Sequence, residues 1–430
     1  ECNTRALAID PNRLGLQSAL LFAQSYLAES DPFAMAEQAR AFGTLIARKI
    51  PPRTTHPNSP DADRRLRVGL VSGDLRTHPV GRFLAAVLRE IDPAKIELFA
   101  YSNTDGEDTL SATLRSSIPH WLNVHGMIDR DLDARIAADR IDILADLSGH
   151  TLGNRLLVFA RKPAPVAFTW LGYFATTGLT SIDYVLANSW VIPAGEEEQW
   201  VEKPWHLPDT YLCFTAPADA PPPTPLPAGQ AGQVTFGCFN NFNKLSSATL
   251  RTWSRLLERV PGSRVVLRSS GYAEGRNLAA LRQSLTAAGI DLTRVRIDGK
   301  IGSYAAHLAS YGEIDIALDP FPYNGGTTTV EALFMGVPVL VRAGDRYVAH
   351  MGESILGNAG LTDWVAADED DYVERGARLA ADLPALTALR ASLRERMLAS
   401  PLFDAPRFAR NLEQALRGMW REWCAAQRRV

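Results

Sequence analysis

The sequence predicts an α/β protein with two doubly wound, mostly parallel sheet domains. Short apolar segments alternate with amphipathic helical segments along most of the 430 residues, which is typical of parallel strands covered by helices on both faces. A proline- and alanine-rich stretch, Ala216–Gln233, interrupts this pattern and reads as an extended connector, because its composition cannot sustain a packed element. We therefore expect one domain on each side of it, facing a cleft with ligands at the carboxyl ends of the strands.

Composition gives no reason to expect a nucleic-acid partner, a membrane span or a metal site. A net charge of −3 gives no bulk electrostatic reason to expect nucleic acid as a partner. No apolar run approaches the ~20 residues needed to cross a bilayer, so no membrane partner is expected. The four cysteines (Cys2, Cys213, Cys238 and Cys424) are scattered without metal-binding spacing. They fit free thiols in a reducing, cytoplasmic compartment, and we expect no metal site.

Residues 1–62 are predicted to form a helical N-terminal segment and a linker. Ala6–Asn12 resembles the closing segment of a tetratricopeptide repeat, and Leu16–Leu27 and Ala34–Ile50 are amphipathic. One repeat cannot bury its own face, so more repeats would precede this one in a longer natural chain that begins before Glu1. A plain helical extension is the alternative. Pro51–Asp63 is proline-rich and polar, as expected of a linker.

Strand and helix patterns then define two sheet domains, at 63–215 and 234–395, followed by C-terminal helices at 396–430. In the first domain the predicted strands are Leu66–Ser72, Ile96–Tyr101, Ile141–Leu147, Val166–Leu171 and Tyr184–Ala187, and the helices are Gly81–Ile91, Asp131–Asp139 and Leu152–Phe159. In the second the strands are Val234–Phe239, Ser263–Leu267, Val295–Ile297, Ile314–Leu318 and Val337–Val341, and the helices are Ala248–Val260, Asn277–Ala288, Tyr304–Tyr311 and Thr328–Phe334.

The segment that follows the strand Ile314–Leu318 predicts an anion site. Two prolines end the strand, Asn324–Gly326 allows a turn with positive φ, and Thr327–Thr329 lies where a helix begins. Free N–H groups and the positive end of that helix would face a phosphate, and the threonine hydroxyls add donors. Glu331, about one helical turn beyond Thr327, would reach a ribose hydroxyl, so the segment predicts a nucleotide site. An ordinary Gly-rich turn is the alternative.

Four other stretches carry candidate residues. His78 in a strand-to-helix turn is a plausible acid, base or donor, or else a capping histidine. His150, after a glycine at a strand end, is placed for a ligand and is a further catalytic candidate, whereas the neighbouring Asp146 fits a buried structural role. Asn241 and Lys244 follow a strand and suit a sugar or base and a diphosphate. His307 alone would more often be a surface or packing residue.

Taken together, these motifs resemble the protein O-glycosyltransferases of the O-GlcNAc transferase and SPINDLY type. The resemblance spans most of residues 66–425. It is carried by LRVGLVSGDLRTHPVGRFL, DILADLSGHT, RKPAPVAFTWLGYFATTG, IDYVLAN, GCFNNFNK, ALDPFPYNGGTTTVEALFMGVPVL and SPLF. It implies the GT-B fold, with two Rossmann-like domains, a nucleotide sugar held mainly by the C-terminal one, no required metal or other cofactor, and N-terminal tetratricopeptide repeats.

The resemblance also implies roles for individual residues. His78 matches an active-site histidine near sugar and acceptor, and Lys244 matches the lysine that contacts the diphosphate. Asn241 matches a nucleotide contact and His307 a histidine beside the base. Gly325, Gly326, Thr327, Thr328 and Glu331 match the nucleotide-sugar-binding turn and helix. The implied reaction is an inverting transfer in which an acceptor hydroxyl attacks the anomeric carbon, Lys244 stabilises the departing diphosphate and His78 takes the proton.

Two positions bear on the donor sugar. Gly326 and Glu331 replace the histidine and aspartate that O-GlcNAc transferases have in this motif, and the form GTTTxxEALxMGVP is similar to the SPINDLY branch, whose donor is GDP-fucose. The expected donor is therefore UDP-GlcNAc or GDP-fucose, and the expected acceptor is Ser or Thr of a protein or peptide. The alternatives are N-glucosylation of asparagine, as in the related high-molecular-weight-adhesin type, and a catalytically inactive repeat scaffold.

Overall fold

The computed structural model describes residue 10 and residues 13–272, 275–300 and 302–428. These form two compact units. The first unit contains the residues up to Ser25, Ser30–Thr215 and the chain from Asp404, and the second contains Tyr26–Glu29 and Ala216–Phe403. The predicted C-terminal segment 396–430 is thus divided between the units, and the helices before residue 50 belong mainly to the first.

From Arg13 onward, where the structure describes it, the N-terminal segment contains the helices α1 (Leu14–Gln24) and α2 (Pro32–Lys49). The Asp31 side chain caps α2 by accepting hydrogen bonds from the backbone N–H groups of Phe33 and Ala34. Pro32 occupies the first helical position. Leu21 of α1 is buried in the core of the first unit. The repeat-like stretch Ala6–Asn12 lies outside the described residues, apart from its Asp10.

The first unit contains a seven-stranded parallel sheet with the order β3-β2-β1-β4-β5-β6-β7. The two edge strands, β3 and β7, were missed by the sequence prediction because exposed polar residues occupy both ends of each and give no apolar run. The strands are β1 (Leu66–Ser72), β2 (Ile96–Ser102), β3 (His120–Asn123), β4 (Ile143–Asp146), β5 (Val166–Thr169), β6 (Tyr184–Ala187) and β7 (Lys203–His206).

Helices α3 (Pro79–Glu90), α4 (Thr109–Ser117), α5 (Asp129–Ala138) and α6 (Leu156–Ala160) accompany this sheet. Helix α6 begins four residues later than the predicted start at Leu152, because Gly153 adopts φ 79° and residues before Leu156 form turns.

The second unit contains a six-stranded sheet with the order β10-β9-β8-β11-β12-β13, again parallel. Its strands are β8 (Thr235–Cys238), β9 (Arg264–Arg268), β10 (Val295–Asp298), β11 (Ile316–Leu318), β12 (Val339–Arg342) and β13 (Val365–Ala366). Its helices are α7 (Ala228–Ala231), α8 (Ser247–Arg259), α9 (Arg276–Ala287), α10 (Tyr304–Ala309), α11 (Thr327–Phe334), α12 (Tyr347–Asn358), α13 (Glu369–Ala381) and α14 (Leu383–Leu398).

The proline-rich connector is packed onto the second unit. The buried Arg390 of α14 donates hydrogen bonds to the backbone oxygens of Thr224, at 2.7 Å, and of Ile314, at 2.9 Å. The carboxylate of Asp315 accepts from the backbone N–H of Ala228, at 2.8 Å. The side chains of Arg390 and Asp315 therefore hydrogen-bond to backbone groups of the connector. A proline-rich segment cannot pair these groups in a sheet or helix of its own.

The last helix, α15 (Ala405–Gln427), returns to the first unit. Phe408 of α15 stacks on Trp170, with ring centroids 5.9 Å apart, and the Trp420 indole donates to the Asp61 backbone oxygen at 2.8 Å. No helix in the described part of the chain is both long and apolar enough to cross a membrane.

Both sheets reverse their strand order at one point. In the first unit this switch lies between β1 and β4, whose carboxyl ends lead into Ser72–His78 and Asp146–His150. In the second it lies between β8 and β11, whose carboxyl ends lead into Asn240–Lys244 and Asp319–Thr328. Ligands of doubly wound folds bind at such points, so the topology places all four motifs where a ligand is expected.

Candidate active site

Lys244 and the Gly-rich turn meet at the switch point of the second unit. Lys244 ends a short 3₁₀-helix, Phe242–Lys244, and its Nζ donates a hydrogen bond to the Asn324 backbone oxygen at 2.6 Å. The same ammonium lies 4.3 Å from the centre of the Tyr323 ring, a cation–π distance. The structure therefore holds the Lys244 cation beside the turn that begins α11. The sequence had suggested a diphosphate contact for Lys244 and an anion site at this turn, each from its own motif.

Beneath this turn lies a buried carboxylate, Asp319, which sequence reasoning missed. Its Oδ1 accepts from the Gly325 backbone N–H at 2.7 Å and from Asn240 Nδ2 at 3.3 Å, and its Oδ2 accepts from Thr329 Oγ1 at 3.3 Å. The sequence signal was a single acidic residue directly after an apolar strand. These bonds fix the shape of the turn.

Burial moves the pKa values of both charged groups toward neutrality. It lowers the pKa of Lys244 to about 8, although the Asp319 carboxylate partly offsets this effect. It raises the pKa of Asp319 to about 6, against the opposing influence of its hydrogen bonds and of Lys244. At pH 7 the lysine is still mostly a cation and the aspartate mostly an anion.

The two glycines of the turn differ in how much space surrounds them. A Cβ on Gly325 would lie 2.5 Å from Thr329 Oγ1, 2.6 Å from Thr328 Oγ1 and 2.8 Å from Asp319 Oδ1. A Cβ on Gly326 would meet only the Met351 Cε, at 3.9 Å. Gly325 is thus required by close packing, whereas the position of Gly326 has room for a side chain.

The threonines at the start of α11 have different partners. Thr328 Oγ1 donates to Asn240 Oδ1 at 3.0 Å. The Thr327 hydroxyl oxygen is shielded from solvent and has no hydrogen-bond partner among the described residues. Asn241 is exposed, and its side chain caps the 3₁₀-helix by accepting from the Asn243 N–H at 3.1 Å. Its nucleotide contact stays a prediction.

The Glu331 carboxylate already has protein hydrogen-bond partners, which helical spacing alone did not predict. Its carboxylate is buried and accepts from the Tyr304 hydroxyl at 2.7 Å and the Tyr311 hydroxyl at 3.4 Å. His307 Nε2 lies 3.3 Å from its second oxygen. Since protein donors already bind this carboxylate, it acts here as an anchor for α10, and the ribose contact stays a prediction.

His307 lies beside a polar cavity in the second unit. The cavity has a volume of about 330 Å³ and is lined by Arg268, Lys300 and Ser310 among others. While Nε2 faces Glu331, the Nδ1 of His307 is shielded from solvent and has no hydrogen-bond partner in the described chain. A buried ring nitrogen of this kind is suited to a ligand with complementary hydrogen-bonding groups, as a nucleobase has.

In the first unit, His78 caps the helix that follows β1. Its Nδ1 accepts from the Val80 backbone N–H at 3.4 Å, and the Asp74 carboxylate lies 3.7 Å from the same nitrogen. Burial lowers the pKa of His78, while Asp74 opposes this shift. The ring is therefore neutral at pH 7, and when Nδ1 accepts from Val80 the proton is on Nε2.

His150 is not placed as the sequence had suggested. The residue is 3% exposed, its Nδ1 bonds to Ser18 Oγ at 2.8 Å, and its Nε2 bonds to the Thr177 backbone oxygen at 3.0 Å. A carbonyl oxygen only accepts, so Nε2 carries the proton and Nδ1 accepts from Ser18. Burial lowers the pKa of His150 to about 4. Both nitrogens are used by the protein, which indicates a structural role rather than the catalytic one expected.

Asp146 also has the structural role that the sequence favoured. Its buried carboxylate accepts from the N–H groups of Ser148 and Gly149 and from Thr169 Oγ1. No group of three or more His, Cys, Asp or Glu side chains in the described ranges could hold a metal ion. Independence from metals stays a prediction.

Comparison with known proteins decides the family. The model of glycosyl transferase family 41 matches residues 44–215 and 227–412, most of the chain. The chain belongs to glycosyl transferase family 41. The predicted family, the GT-B fold with its two Rossmann-like domains and the enzyme class are thereby confirmed.

The curated relatives of this chain include both SPINDLY proteins and a peptide N-acetylglucosaminyltransferase. The probable UDP-N-acetylglucosamine–peptide N-acetylglucosaminyltransferases SPINDLY of Arabidopsis thaliana and Solanum lycopersicum are each 36% identical over 97% of this chain. The UDP-N-acetylglucosamine–peptide N-acetylglucosaminyltransferase of Caenorhabditis elegans is 22% identical over 84% of it. The chain spans 46%, 45% and 41% of the lengths of these three relatives, respectively.

Solved structures agree with this assignment. A lysine-to-methionine mutant of the O-GlcNAc transferase of Thermobaculum terrenum superimposes with a TM-score of 0.94 at 35% identity, covering 99% of this chain and 81% of that one. An apo lipopolysaccharide outer core galactosyltransferase gives a TM-score of 0.51 at 14% identity over 82% of this chain and 99% of its own, a likeness of fold alone.

Proposed function

We propose that this family 41 chain transfers a sugar from a nucleotide diphosphate sugar to a Ser or Thr hydroxyl of a protein, with inversion at the anomeric carbon. The observation that carries the proposal is the contact of Lys244 Nζ with Asn324 in the turn that opens α11. This arrangement places a cation and a helix N-terminus together at a strand switch point, which suits a diphosphate. The peptide-modifying relatives support a protein acceptor.

The chemistry follows from where charge develops. As the acceptor oxygen bonds to the anomeric carbon, the bond from that carbon to the β-phosphate oxygen breaks and negative charge builds up on the nucleoside diphosphate. Lys244 and the N–H groups at the start of α11 are fixed before the reaction and stabilise this charge without reorganisation. These protein groups supply the positive charge in our proposal, and no metal or other cofactor is part of it.

His78 has a more limited role in this proposal than the sequence suggested. With Nδ1 accepting from Val80, Nε2 carries the proton and donates a hydrogen bond to the sugar or acceptor. The ring would take the acceptor proton only if Nδ1 exchanged Val80 for the Asp74 carboxylate, 3.7 Å away. We propose His78 as a neutral donor that orients the reacting groups.

The donor is UDP-GlcNAc or GDP-fucose. The names of these relatives specify UDP-N-acetylglucosamine, which supports UDP-GlcNAc. Gly326 and Glu331 match the SPINDLY form of the motif, which supports the second. Cys213, Cys238 and Cys424 are buried free thiols, as in proteins of a reducing compartment, and we propose a cytoplasmic location.

A thermal-shift panel tests the proposal. Wild type and Lys244→Ala are each melted with UDP, GDP and CMP and with their common sugar conjugates. A ligand that binds only the folded state adds about 2.7 kcal/mol at a hundredfold excess over its Kd. Stabilisation by UDP-GlcNAc or by GDP-fucose, lost in Lys244→Ala, supports the site and identifies the donor.

The reaction is then assayed with the identified donor and Ser- or Thr-containing peptides. Mass spectrometry should locate the sugar on a hydroxyl, and NMR should show the anomeric configuration opposite to that of the donor. Absence of stabilisation by every nucleotide would overturn the proposed function, and modification of asparagine would correct the acceptor.

A further inference from the structure

The Lys244 ammonium contacts an aromatic ring that itself stacks on a second ring. Lys244 Nζ lies 4.3 Å from the centre of the Tyr323 ring, and the Tyr323 ring stacks on that of Tyr26. The two ring centroids are 4.7 Å apart, and the ring planes are inclined by 24°. Tyr26 follows α1 in the chain but belongs to the second unit, as Tyr323 and Lys244 do. Sequence reasoning gave Tyr26 no role in the nucleotide site.

The Tyr323 ring restrains the cation without using its hydrogen bonds. An ammonium has three hydrogens, and the Asn324 backbone oxygen accepts one of them at 2.6 Å. The negative face of an aromatic ring attracts a cation without offering a lone pair, so the other hydrogens stay available for phosphate oxygens. A lysine stem is flexible, and a ring that limits its motion beforehand reduces the entropy lost when a diphosphate binds.

Tyr26 in turn restrains the Tyr323 ring. Tyr323 is buried, with 8% of its surface exposed, and a stacked neighbour adds an attraction beyond the burial of apolar area. We propose that Tyr26 and Tyr323 are positioning residues for the Lys244 ammonium, and that Tyr26 acts through the Tyr323 ring to fix the cation that binds the donor diphosphate. This inference rests on the proposed function, because it assigns roles around the same lysine.

Loss of the Tyr323 ring should make Lys244 easier to deprotonate. The other groups that face the ammonium are the Asp319 carboxylate, which favours the charged lysine, and the Cys238 thiol. Burial raises the pKa of Cys238 to about 12 and also raises the pKa of the Tyr26 phenol. Both therefore stay protonated where Lys244 titrates. Leucine at position 323 would keep the site apolar but has no π face, so the pKa of Lys244 should fall below about 8.

The first test measures the Kd of the nucleotide sugar that stabilises wild type, at pH 7. Tyr323→Leu should weaken binding roughly 2- to 30-fold, the range expected for a lost cation–π contact. Tyr26→Leu should weaken binding less, whereas Tyr26→Phe keeps the stacked ring and should bind like wild type. Leu27→Ala changes an exposed neighbour of Tyr26 and is the matched control, with no expected effect. A Tyr26→Leu protein that binds as tightly as Tyr26→Phe would overturn the inference.

A double-mutant cycle tests whether Tyr26 acts through Tyr323. In the Tyr323→Leu background the stacked partner is absent, so Tyr26→Leu should have no further effect on Kd. If the two effects simply add, Tyr26 does not act through this ring, and the inference is overturned.

The third test uses pH to separate positioning of the cation from a general structural role. Donor affinity should decline at lower pH in Tyr323→Leu than in wild type, and by a smaller shift in Tyr26→Leu, when titrated from pH 6.5 to 9.5. Tyr26→Phe should follow wild type. A variant that is weakened equally at every pH would contradict the proposed effect on the cation.

Thermal unfolding without ligand checks that each variant folds. If Tyr323→Leu does not fold, the comparison of Tyr26→Leu with Tyr26→Phe in the same titrations decides the question. Equal Kd values for these two variants, in a protein whose wild type binds donor, would overturn the inference alone. A wild type that binds no nucleotide sugar would instead overturn the proposed function, and the inference with it.

Discussion

Lys244 Nζ lies 2.6 Å from the Asn324 backbone oxygen, so the cation of one switch-point loop is bound to the turn of the other. The loop after β8 and the loop after β11 are 80 residues apart in sequence at these two positions. Their contact joins a positive charge to the N-terminus of α11.

Replacement of Lys244 should separate function from stability. Lys244→Met should abolish donor binding and lower kcat/KM more than a hundredfold, because the diphosphate loses its cation. Burial lowers the pKa of this lysine, so the folded state disfavours its charge at pH 7, and the variant should unfold at the same temperature as wild type or higher. Calorimetry of binding and of unfolding measures both quantities.

Lys203→Met is the matched control for this variant. Lys203 is an exposed lysine of the first unit that pairs with Glu422. Its loss should change neither donor binding nor activity. A Lys244→Met protein that binds donor as tightly as the control would contradict the assigned role.

The affinity for donor should fall at alkaline pH. Binding requires the Lys244 ammonium, and its pKa in the free protein is about 8, so the affinity is full below that value and declines as the pH rises through it. Titration calorimetry from pH 7 to 9.5 at constant ionic strength measures this decline in affinity. In Lys244→Arg the affinity should no longer decline, because a guanidinium keeps its proton over this range. An unchanged decline in this variant would show that another group titrates.

His78 variants should distinguish a donor from a base. His78→Gln keeps a side-chain N–H but cannot take up a proton, so it should retain more than a tenth of the wild-type kcat if His78 only donates. His78→Ala should lose far more. If both variants lose kcat equally, by about a hundredfold or more, proton transfer by His78 is the better account.

The two glycines of the turn should respond differently to substitution. Gly325→Ala brings a methyl group within 2.6 Å of two hydroxyl groups and should cost on the order of 1–3 kcal/mol of stability together with donor binding. The methyl group of Gly326→Ala would lie 3.9 Å from the Met351 Cε, an ordinary van der Waals contact, and the variant should fold like wild type. Denaturant unfolding and donor Kd values measure the difference; equal effects at the two positions would contradict the packing described for the turn.

Much of the site was predictable because strand ends are readable in the sequence. His78, Lys244 and the Gly-rich turn each follow an apolar run that forms a strand, and a parallel fold brings such positions to one edge of a sheet. Asp319 and Asn240 also follow strands, but the sequence does not show the hydrogen bond that joins them across 79 residues. Helical spacing also does not reveal that the hydroxyls of Tyr304 and Tyr311 donate hydrogen bonds to the Glu331 carboxylate.

His150 should make folding stability depend on acidity without affecting donor binding. The unfolded chain binds a proton near pH 6.5, but the buried ring binds it only near pH 4. Between these values the unfolded state carries more protons, so stability is full above pH 6.5 and declines as the pH falls, by up to about 3 kcal/mol. Denaturant unfolding of wild type and His150→Gln from pH 4.5 to 8 measures this contribution.

The His150→Gln variant should be less stable at pH 7.5, because it loses the ring's packing against Phe42 and Tyr173, but its stability should vary less with pH. A His150→Gln protein with normal stability and no transferase activity would restore the catalytic assignment that the buried geometry argues against.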